Sequence, residues 1–253
     1  MPEPFILDDF QAEQEDLHSV LAELDQNQWL LPTPAEGWDV RDSVAHLAFF
    51  EDVCRDTITG GPLSLNTASA NYDEGEDFIN VGRDKGRGMA PPEVLEWWLT
   101  SAASNRAAFA AADQKGRYPW GLGMGWRSLV TARLMEHWAH GLDIRAAIEE
   151  PGIDTARLKH VAWIGYSALP YAFGVAHVEP PAGHTLRLEL TPPEAVGGDP
   201  WVIGPEDATD RITGPAGQWC RIAVQRMNLA EARDLEPDGP LAGLALAHAR
   251  AFL

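Results

Sequence analysis

The spacing of hydrophobic residues changes near residues 151–156, and this change divides the chain into two parts of different structure. Before it, apolar residues repeat at helical spacing in long stretches separated by Gly/Pro-rich breaks. After it, a helical stretch is followed by strict alternation of apolar and polar residues over 185–190, which is typical of a half-buried strand. The sequence therefore predicts an α+β fold: an all-helical bundle at 1–152 and a smaller α+β domain at 153–253.

The first part is predicted to contain a bundle of four long amphipathic helices. We expect them at about 4–27, from 39 or 40 to 59, from 91 through 109, and at about 127–149. The stretch 62–92 has little periodicity and is predicted to be a long loop or a broken helix. In the second part we expect a helix over 158–173, strands at 185–190, 201–203 and 210–213, and helices at about 215–226 and 240–253.

The charge balance excludes several classes of partner. The 253 residues include 38 acidic and 19 basic side chains, for a formal net charge of −19. Such a chain repels nucleic-acid phosphates and anionic lipids, so neither nucleic acid nor a membrane is an expected partner. We also find no signal peptide and no uncharged stretch of the ~18 residues that a membrane span needs, so a cytoplasmic protein is expected. Cys54 and Cys220 lack CxxC spacing and are predicted to be buried hydrophobic residues.

Three residues form a candidate metal-binding triad. Glu136 and His140 are four positions apart, so a helix places both side chains on one face. His46 lies near the middle of another predicted helix, and facing helices commonly build metal sites from inward-pointing carboxylates and imidazoles. Two imidazoles and one carboxylate suit a catalytic zinc ion with an open coordination position. Manganese, iron or nickel ions fit the same ligand types.

Spacing alone leaves other interpretations open. Glu136 could pair with Arg133 or His140 with no metal, which would leave His46 as an ordinary packed histidine. His137 competes as a ligand because it lies three positions from His140. Asp143 could accept a hydrogen bond from a ligand imidazole and fix its tautomer, or it could be a surface acid.

Two segments of the sequence resemble motifs of a known family. Residues 37–47, GWDVRDSVAHL, resemble the "GW-V-D-AHL" helix of the mycothiol-dependent maleylpyruvate isomerase family, within the DinB-like metalloenzyme superfamily. Residues 131–143, TARLMEHWAHGLD, resemble its second metal motif, Glu-x3-His followed by Asp. Residues 219–226 and 249–253 are similar to the smaller domain of these isomerases. The resemblance implies a DinB-like metal-binding bundle, a sterol-carrier-like second domain, and His46, Glu136 and His140 as metal ligands.

The resemblance also implies a type of chemistry. In that family a divalent metal, expected here to be zinc, activates the thiol of mycothiol as a nucleophile. A cis–trans isomerase or an S-transferase acting on a small molecule is therefore expected, including one from a secondary-metabolite pathway. One alternative is a thiol-independent enzyme, in which the metal is a Lewis acid or activates water for hydrolysis of a bulky apolar substrate. Another is a non-catalytic binding or stress protein that the metal stabilises. The sequence does not predict an oligomeric state.

Further residues are candidates for binding the substrate. Arg226 corresponds to an arginine of the family's second domain and is predicted to be a catalytic residue that anchors an anionic substrate. The family's preceding glycine is replaced by Gln225, and Arg226 could instead be a solvated cation at a helix end. Arg83 and Arg87 of the 62–92 stretch are alternative partners for an anionic substrate. Trp120 and Trp126 of a glycine-rich loop line either an apolar substrate pocket or a helix-packing corner.

Overall fold

The computed structural model describes residues 6–70, 72 and 75–251, and it divides the chain into two compact units, Met1–Gly152 and Ile153–Leu253. The described residues form a mostly helical structure with small sheets, which confirms the predicted α+β fold class. Within the described residues, no helix is both long enough and apolar enough to cross a membrane. Cys54 and Cys220 are both buried, as predicted.

The first unit contains four long helices in its described part, together with shorter elements. The helices are α1 (Ile6–Leu21), α2 (Val40–Thr59), α3 (Leu65–Ser69), α4 (Gly75–Arg87), α5 (Pro91–Ala111) and α6 (Trp126–Ala147). The residues Gln28–Leu30 form a 3-10 turn, and the antiparallel strands β1 (Arg117–Tyr118) and β2 (Met124–Gly125) form a hairpin before α6. The predicted loop or broken helix at 62–92 thus contains two separate helices, α3 and α4.

The first helix is shorter than the sequence predicted. It ends at Leu21 instead of about residue 27, and the predicted first residues, 4 and 5, lie outside the described part. Asp25 stabilises a turn in place of the predicted last turn of helix: its carboxylate accepts hydrogen bonds from the backbone N–H groups of Asn27 and Gln28 at 2.7 and 2.9 Å. Aspartate offers the backbone this local alternative to helical hydrogen bonding, so the chain turns here.

A reciprocal capping box defines the start of α2. The Asp39 carboxylate accepts a hydrogen bond from the backbone N–H of Asp42 at 2.8 Å, and the Asp42 carboxylate accepts one from the N–H of Asp39 at 3.1 Å. These bonds satisfy N–H groups that a helix start would otherwise leave without partners. The helix ends at Gly60, which has a left-handed backbone with φ of 78°. These boundaries place His46 in the second turn of α2.

The helix α4 crosses α2 at very short range beside His46. A Cβ atom on Gly82 would lie 2.7 Å from Cβ of Phe49 and 2.9 Å from the carbonyl oxygen of Ala45. On Gly86, one turn later, a Cβ would meet the Cβ of Ala45. Because both positions lack a side chain, the backbone of α4 can reach that of α2.

The second unit is a small sheet with helices. Its elements are α7 (Leu158–Ser167), α8 (Leu169–Val175), β3 (Leu186–Thr191), β4 (Trp201–Ile203), β5 (Asp210–Pro215), α9 (Ala216–Ala223), β6 (Glu236–Asp238) and α10 (Pro240–His248). In the described part the strand order is β4-β3-β5-β6; β3 and β5 are parallel and the outer pairs antiparallel.

Alternation along β3 follows the predicted half-buried pattern. Leu186, Leu188 and Leu190 are buried, and the intervening Arg187 and Glu189 form an ion pair at 2.7 Å. Other boundaries differ from the prediction: 158–173 is two helices, with a proline in the first turn of α8, and the last helix ends at His248. Residues 252 and 253 of the predicted last helix lie outside the described part.

Candidate metal centre

The structure brings His46, Glu136 and His140 together. His46 projects from α2, and the other two residues project from adjacent turns of α6. One ligand atom from each of the three residues lies within 4.8 Å of the other two. Glu136 Oε2 lies 3.6 Å from His140 Nε2 and 3.9 Å from His46 Nε2. Both imidazole side chains are 9% exposed and the carboxylate 20%, so Glu136 is the most accessible member.

Each imidazole has a second contact that orients its ring. His46 Nδ1 lies 3.4 Å from the carbonyl oxygen of Ile79 on α4, so Nδ1–H is the donor and Nε2 faces the triad. His140 Nδ1 lies at an ion-pair distance of 3.3 Å from Asp143 Oδ2, one turn further along α6, although their geometry is not that of a hydrogen bond. Partners of this kind fix the tautomer and orientation of histidines that bind metals. Asp143 is 2% exposed and lies where the orienting-acid interpretation requires, so it is not a surface acid.

The pKa shifts of His46 and Glu136 suit a cation, whereas that of His140 favours its protonated form, which a metal ion would have to displace. Burial lowers the pKa of His46 to about 4, so this imidazole is neutral at pH 7. Burial alone would raise the pKa of Glu136, but the neighbouring His140 and His46 and the charge of Arg133 outweigh it and hold that pKa well below its usual value. Burial alone would lower the pKa of His140, yet Asp143 and Glu136 raise it. The triad therefore presents an ionised carboxylate between two imidazoles.

The observed separations fit a single divalent ion. Donor atoms bound about 2.1 Å from one tetrahedral zinc ion stand roughly 3.4 Å apart. The separations of 3.6 and 3.9 Å from Glu136 Oε2 are only slightly longer. The two imidazole nitrogens lie within 4.8 Å of each other, so His46, Glu136 and His140 could hold a divalent cation if the imidazoles moved closer together, and three protein ligands would leave a coordination position open.

Aromatic rings surround the histidines of the triad. Trp38 stacks on His140 with ring centroids 5.9 Å apart and an interplanar angle of 4°, and its ring centroid is 5.0 Å from that of His46. Phe50 also contacts His46, with ring centroids 4.7 Å apart. Trp120, half-buried in the hairpin loop, packs edge-on against Phe50 at 6.3 Å. The surroundings of the triad in this unit are therefore predominantly aromatic.

His137 is a structural residue in this unit. Its Nδ1 donates to the carbonyl oxygen of Arg133 at 2.8 Å, and its Nε2 accepts a hydrogen bond from Trp98 Nε1 at 3.1 Å. Burial lowers the pKa of His137 to about 3, so the ring is neutral. Because both ring nitrogens are engaged, His137 does not compete as a metal ligand.

Arg133 pairs with a residue that sequence spacing did not indicate. Its Nε lies 2.8 Å from Oε1 of Glu51, and Asn105 Nδ2 donates to the other oxygen of Glu51 at 2.7 Å. Of the two pairings that spacing left open for Glu136, the structure has the one with His140 at 3.6 Å, whereas Arg133 pairs with Glu51. Glu51 and Asn105 come from α2 and α5, and no local sequence pattern links them to a position on α6.

Three further candidate residues, Arg87, Arg83 and Trp126, have hydrogen-bond or ion-pair partners outside the triad. Arg87 donates to Asp42 at 2.7 Å and to the carbonyl oxygen of Gly37, so it ties α4 to the start of α2. Arg83 pairs with its neighbour Asp84 at 2.9 Å. Buried Trp126 donates from Nε1 to the carbonyl oxygen of Phe109, which is the helix-packing corner and not a pocket wall.

Arg226 belongs to the second unit, just beyond α9. Its guanidinium donates from Nη1 to the carbonyl oxygen of Val224 at 2.8 Å, and its backbone N–H donates to the carbonyl oxygen of Arg221. Gln225, which replaces the family's glycine, has a positive φ of 58°, the backbone conformation that glycine adopts most readily. The role of Arg226 as a substrate anchor stays a prediction.

Comparison with known sequences identifies relatives over most of the chain. The protein family described as "Mycothiol maleylpyruvate isomerase N-terminal domain" matches residues 10–145, which include the whole triad. Two proteins of Mycobacterium tuberculosis, the uncharacterized proteins MT0041 and Rv0036c, are each 35% identical over 232 residues. These alignments cover 90% of this chain and 88% of each relative.

Solved structures share the fold. The crystal structure of the mycothiol-dependent maleylpyruvate isomerase has a TM-score of 0.57 at 17% identity, with 93% of each chain covered. A histidine-to-alanine mutant of such an isomerase has a TM-score of 0.58 at 15% identity, again with 93% of each chain covered. At these identities the similarity concerns the architecture, and it agrees with the α+β fold of this chain.

Proposed function

This chain belongs to the mycothiol maleylpyruvate isomerase family, and from that premise we propose that it is an enzyme whose first unit holds a divalent metal, expected to be zinc, between His46, Glu136 and His140. The observation that carries the proposal is the convergence of the three ligand atoms within 4.8 Å. The contacts of both imidazoles through Nδ1 support it, because they leave Nε2 of each ring for a metal.

The proposed reaction is cis–trans isomerisation or S-transfer on a small electrophilic molecule. A bound divalent cation would lower the pKa of a coordinated thiol, such as that of mycothiol, and so supply a nucleophile at neutral pH. Glu136 and the imidazoles would hold the cation, and the carboxylate of Asp143, 3.3 Å from His140 Nδ1, would orient that ring by its charge. Trp38 and Phe50 would exclude water from one side of the reacting groups, because their rings contact the ligand histidines.

Arg226 is proposed to anchor a carboxylate of the substrate. Its guanidinium, which donates from Nη1 to the carbonyl oxygen of Val224, is the kind of group that recognises carboxylates. A bidentate contact with a carboxylate would fix the orientation of the substrate. Replacing Arg226 with lysine would keep the charge and lose the bidentate geometry, so it should raise KM more than it lowers kcat.

A second candidate function is a thiol-independent enzyme, either a Lewis-acid enzyme or a hydrolase, that acts on a bulky apolar substrate. The aromatic surroundings of the triad, Trp38, Phe50 and Trp120, favour such a substrate. Metal-loaded protein that turns over an apolar ester or carbonyl compound without any thiol would establish this function. A third candidate, a non-catalytic metal-stabilised binding or stress protein, requires that chelation lowers the melting temperature while no thiol binds.

The deciding experiment uses the full chain loaded with Co²⁺, whose visible absorption reports its ligands. Wild type should bind one equivalent, and titration with mycothiol should add a sulfur-to-cobalt charge-transfer band. His46→Ala should lose both signals and keep its circular dichroism spectrum. His18→Ala is the matched control, because His18 lies on α1 and is no member of the triad. Unchanged cobalt binding by His46→Ala would refute the metal centre, and binding without a thiol response would refute the thiol chemistry.

A further inference from the structure

We propose that Glu51, Arg133 and Asn105 form a positioning network that sets the distance between the two helices carrying the metal ligands. The proposal rests on the metal centre proposed above. Glu51 lies on α2, five residues after His46, and Arg133 lies on α6, three residues before Glu136. The ion pair between Glu51 and Arg133 therefore joins the two ligand-bearing helices about one turn away from the triad.

The network is fully buried and spans three helices. Arg133 Nε lies 2.8 Å from Glu51 Oε1, and Asn105 Nδ2 on α5 donates to Glu51 Oε2 at 2.7 Å. The residues are 2%, 0% and 0% exposed for Arg133, Glu51 and Asn105. Both oxygens of the carboxylate are thus fixed, one towards α6 and one towards α5. A change in the separation of α2 and α6 would break a short, directional contact.

The turn of α6 that carries Glu136 is also held on a second side. The carbonyl oxygen of Arg133 accepts the Nδ1–H of His137, and His137 Nε2 accepts a hydrogen bond from Trp98 Nε1 on α5. Arg133 therefore contacts α2 through its side chain, and its backbone is linked to α5 through His137. These contacts restrict rotation and translation of the α6 segment that bears Glu136.

Stability alone does not explain why this network is present. Among the described residues, Arg133 Nη2 and Asn105 Oδ1 are buried and have no hydrogen-bond partner. Buried polar atoms without partners cost free energy, and apolar residues of similar size often replace buried ion pairs without loss of stability. Such a network is better suited to fixing a geometry than to strengthening the fold. The geometry that it spans is the α2–α6 separation, on which convergence of the triad depends.

Removing Arg133 should have opposite effects on metal affinity depending on whether the residue acts through its charge or by positioning the helices. Its positive charge acts on His46 and Glu136, so by charge alone it repels a cation bound between them. Removing that charge would strengthen metal binding if Arg133 acted only through the field. If Arg133 acts by positioning the helices, its removal must weaken binding despite the lost repulsion.

The test measures Zn²⁺ affinity by competition with a chromophoric chelator, together with the Co²⁺ absorption spectrum and the melting temperature. Arg133→Met should bind Zn²⁺ about tenfold more weakly, as for partners that orient metal ligands. Its Co²⁺ spectrum should also be altered. Arg133→Lys, which keeps charge and a donor, should recover part of the affinity. Arg55→Met is the matched control, because the ion pairs of Arg55 within the described residues are with Asp52 and Asp56 of the same helix.

A second variant without the buried charges tests the proposal even if Arg133→Met does not fold. Glu51→Met with Asn105→Leu and Arg133→Met replaces the network by apolar side chains, so this variant should fold and still bind Zn²⁺ about tenfold more weakly. Wild-type or tighter affinity in Arg133→Met, or in the triple variant if the single one does not fold, overturns the positioning role. If His46→Ala loses binding and the network variants do not, this inference alone fails. If wild type binds no metal, the proposed metal centre fails and this inference fails with it.

Discussion

The indole ring of Trp38 lies parallel to the imidazole ring of His140, with an interplanar angle of 4° and centroids 5.9 Å apart. The same indole approaches His46 at 5.0 Å, so one side chain contacts both candidate ligand histidines. Because Trp38 directly precedes the capping residue Asp39, the start of α2 fixes its position. This residue therefore links the beginning of a helix to the orientation of two imidazoles.

Replacing Trp38 should weaken metal binding without abolishing it. Aromatic contacts are worth about 0.5–1.5 kcal/mol, which corresponds to about two- to tenfold in affinity. Trp38→Leu should raise the dissociation constant for Zn²⁺ within that range, and Trp38→Phe should lose less because it keeps a ring. Competition with a chromophoric chelator measures both. Equal affinities for wild type and the leucine variant would show that the stack does not support the ligands.

Removing the acid behind His140 should have a larger effect. Asp143→Asn keeps the shape of the side chain but loses the negative charge at 3.3 Å from His140 Nδ1. Loss of such partners typically lowers metal affinity by about 10- to 100-fold. We expect a decrease in this range by calorimetric titration with Zn²⁺. Asp84→Asn, at an exposed position on α4, is the control and should bind as wild type does. Unchanged Zn²⁺ affinity in Asp143→Asn would rule out an orienting role for Asp143.

A single methyl group on α4 should disturb the first unit. Gly82→Ala places a Cβ 2.7 Å from Cβ of Phe49 and 3.1 Å from Cα of His46, and overpacking of this kind costs about 1–3 kcal/mol. Urea denaturation should show that loss. Gly141→Ala provides the comparison, because no heavy atom lies within 4 Å of its Cβ position and alanine favours a helix by about 0.5–1 kcal/mol. If both variants were equally stable, the close crossing would not constrain the structure.

The second unit should lose stability in acid through Asp210. Burial alone would raise the pKa of this carboxylate, but donors from His184, Thr209 and the backbone of Leu241 and Ala242 outweigh it and lower the pKa. A carboxylate with a depressed folded-state pKa contributes stability above its unfolded value of about 3.9, and this contribution is lost as the pH falls through the folded-state pKa.

Denaturation at pH 7 and below pH 4 measures this effect. Wild type should lose more stability on acidification than Asp210→Asn, because the amide carries no charge to neutralise. Asp210→Asn should also be less stable than wild type at pH 7, since it replaces an acceptor of backbone N–H groups at the start of α10. Identical acid dependence in the two proteins would mean that Asp210 is not the group responsible.

Much of the fold follows from local patterns, and those patterns were visible in the sequence. Helical spacing predicted the four long helices of the first unit, although α1 ends earlier than expected, and alternation correctly predicted β3. The i,i+4 relation of Glu136 and His140 holds in α6, and Phe50, four positions after His46, was detectable by the same rule. These features depend on residues within one turn of each other, where side-chain direction is fixed by the backbone.

The missed features depend on contacts between segments that are distant in sequence. The pairing of Arg133 with Glu51 joins residues 82 positions apart, and spacing suggested the nearer Glu136 instead. The contact between His46 and the carbonyl oxygen of Ile79 involves a backbone atom, which has no sequence signature. The sequence did not predict α3 and α4 as two separate helices within 62–92, because α4 is rich in glycine and in polar residues. Packing against α2, not propensity, determines its position.

The short crossing of α4 over α2 has a consequence for where the orientation of His46 is encoded. Any amino acid at position 79 offers the same carbonyl oxygen, so a substitution there leaves the hydrogen bond available. The contact depends instead on positions 82 and 86, where the lack of a side chain lets the two backbones approach. A mutational screen limited to polar side chains would therefore miss the contribution of α4 to this histidine, whereas substitutions of Gly82 and Gly86 would reveal it.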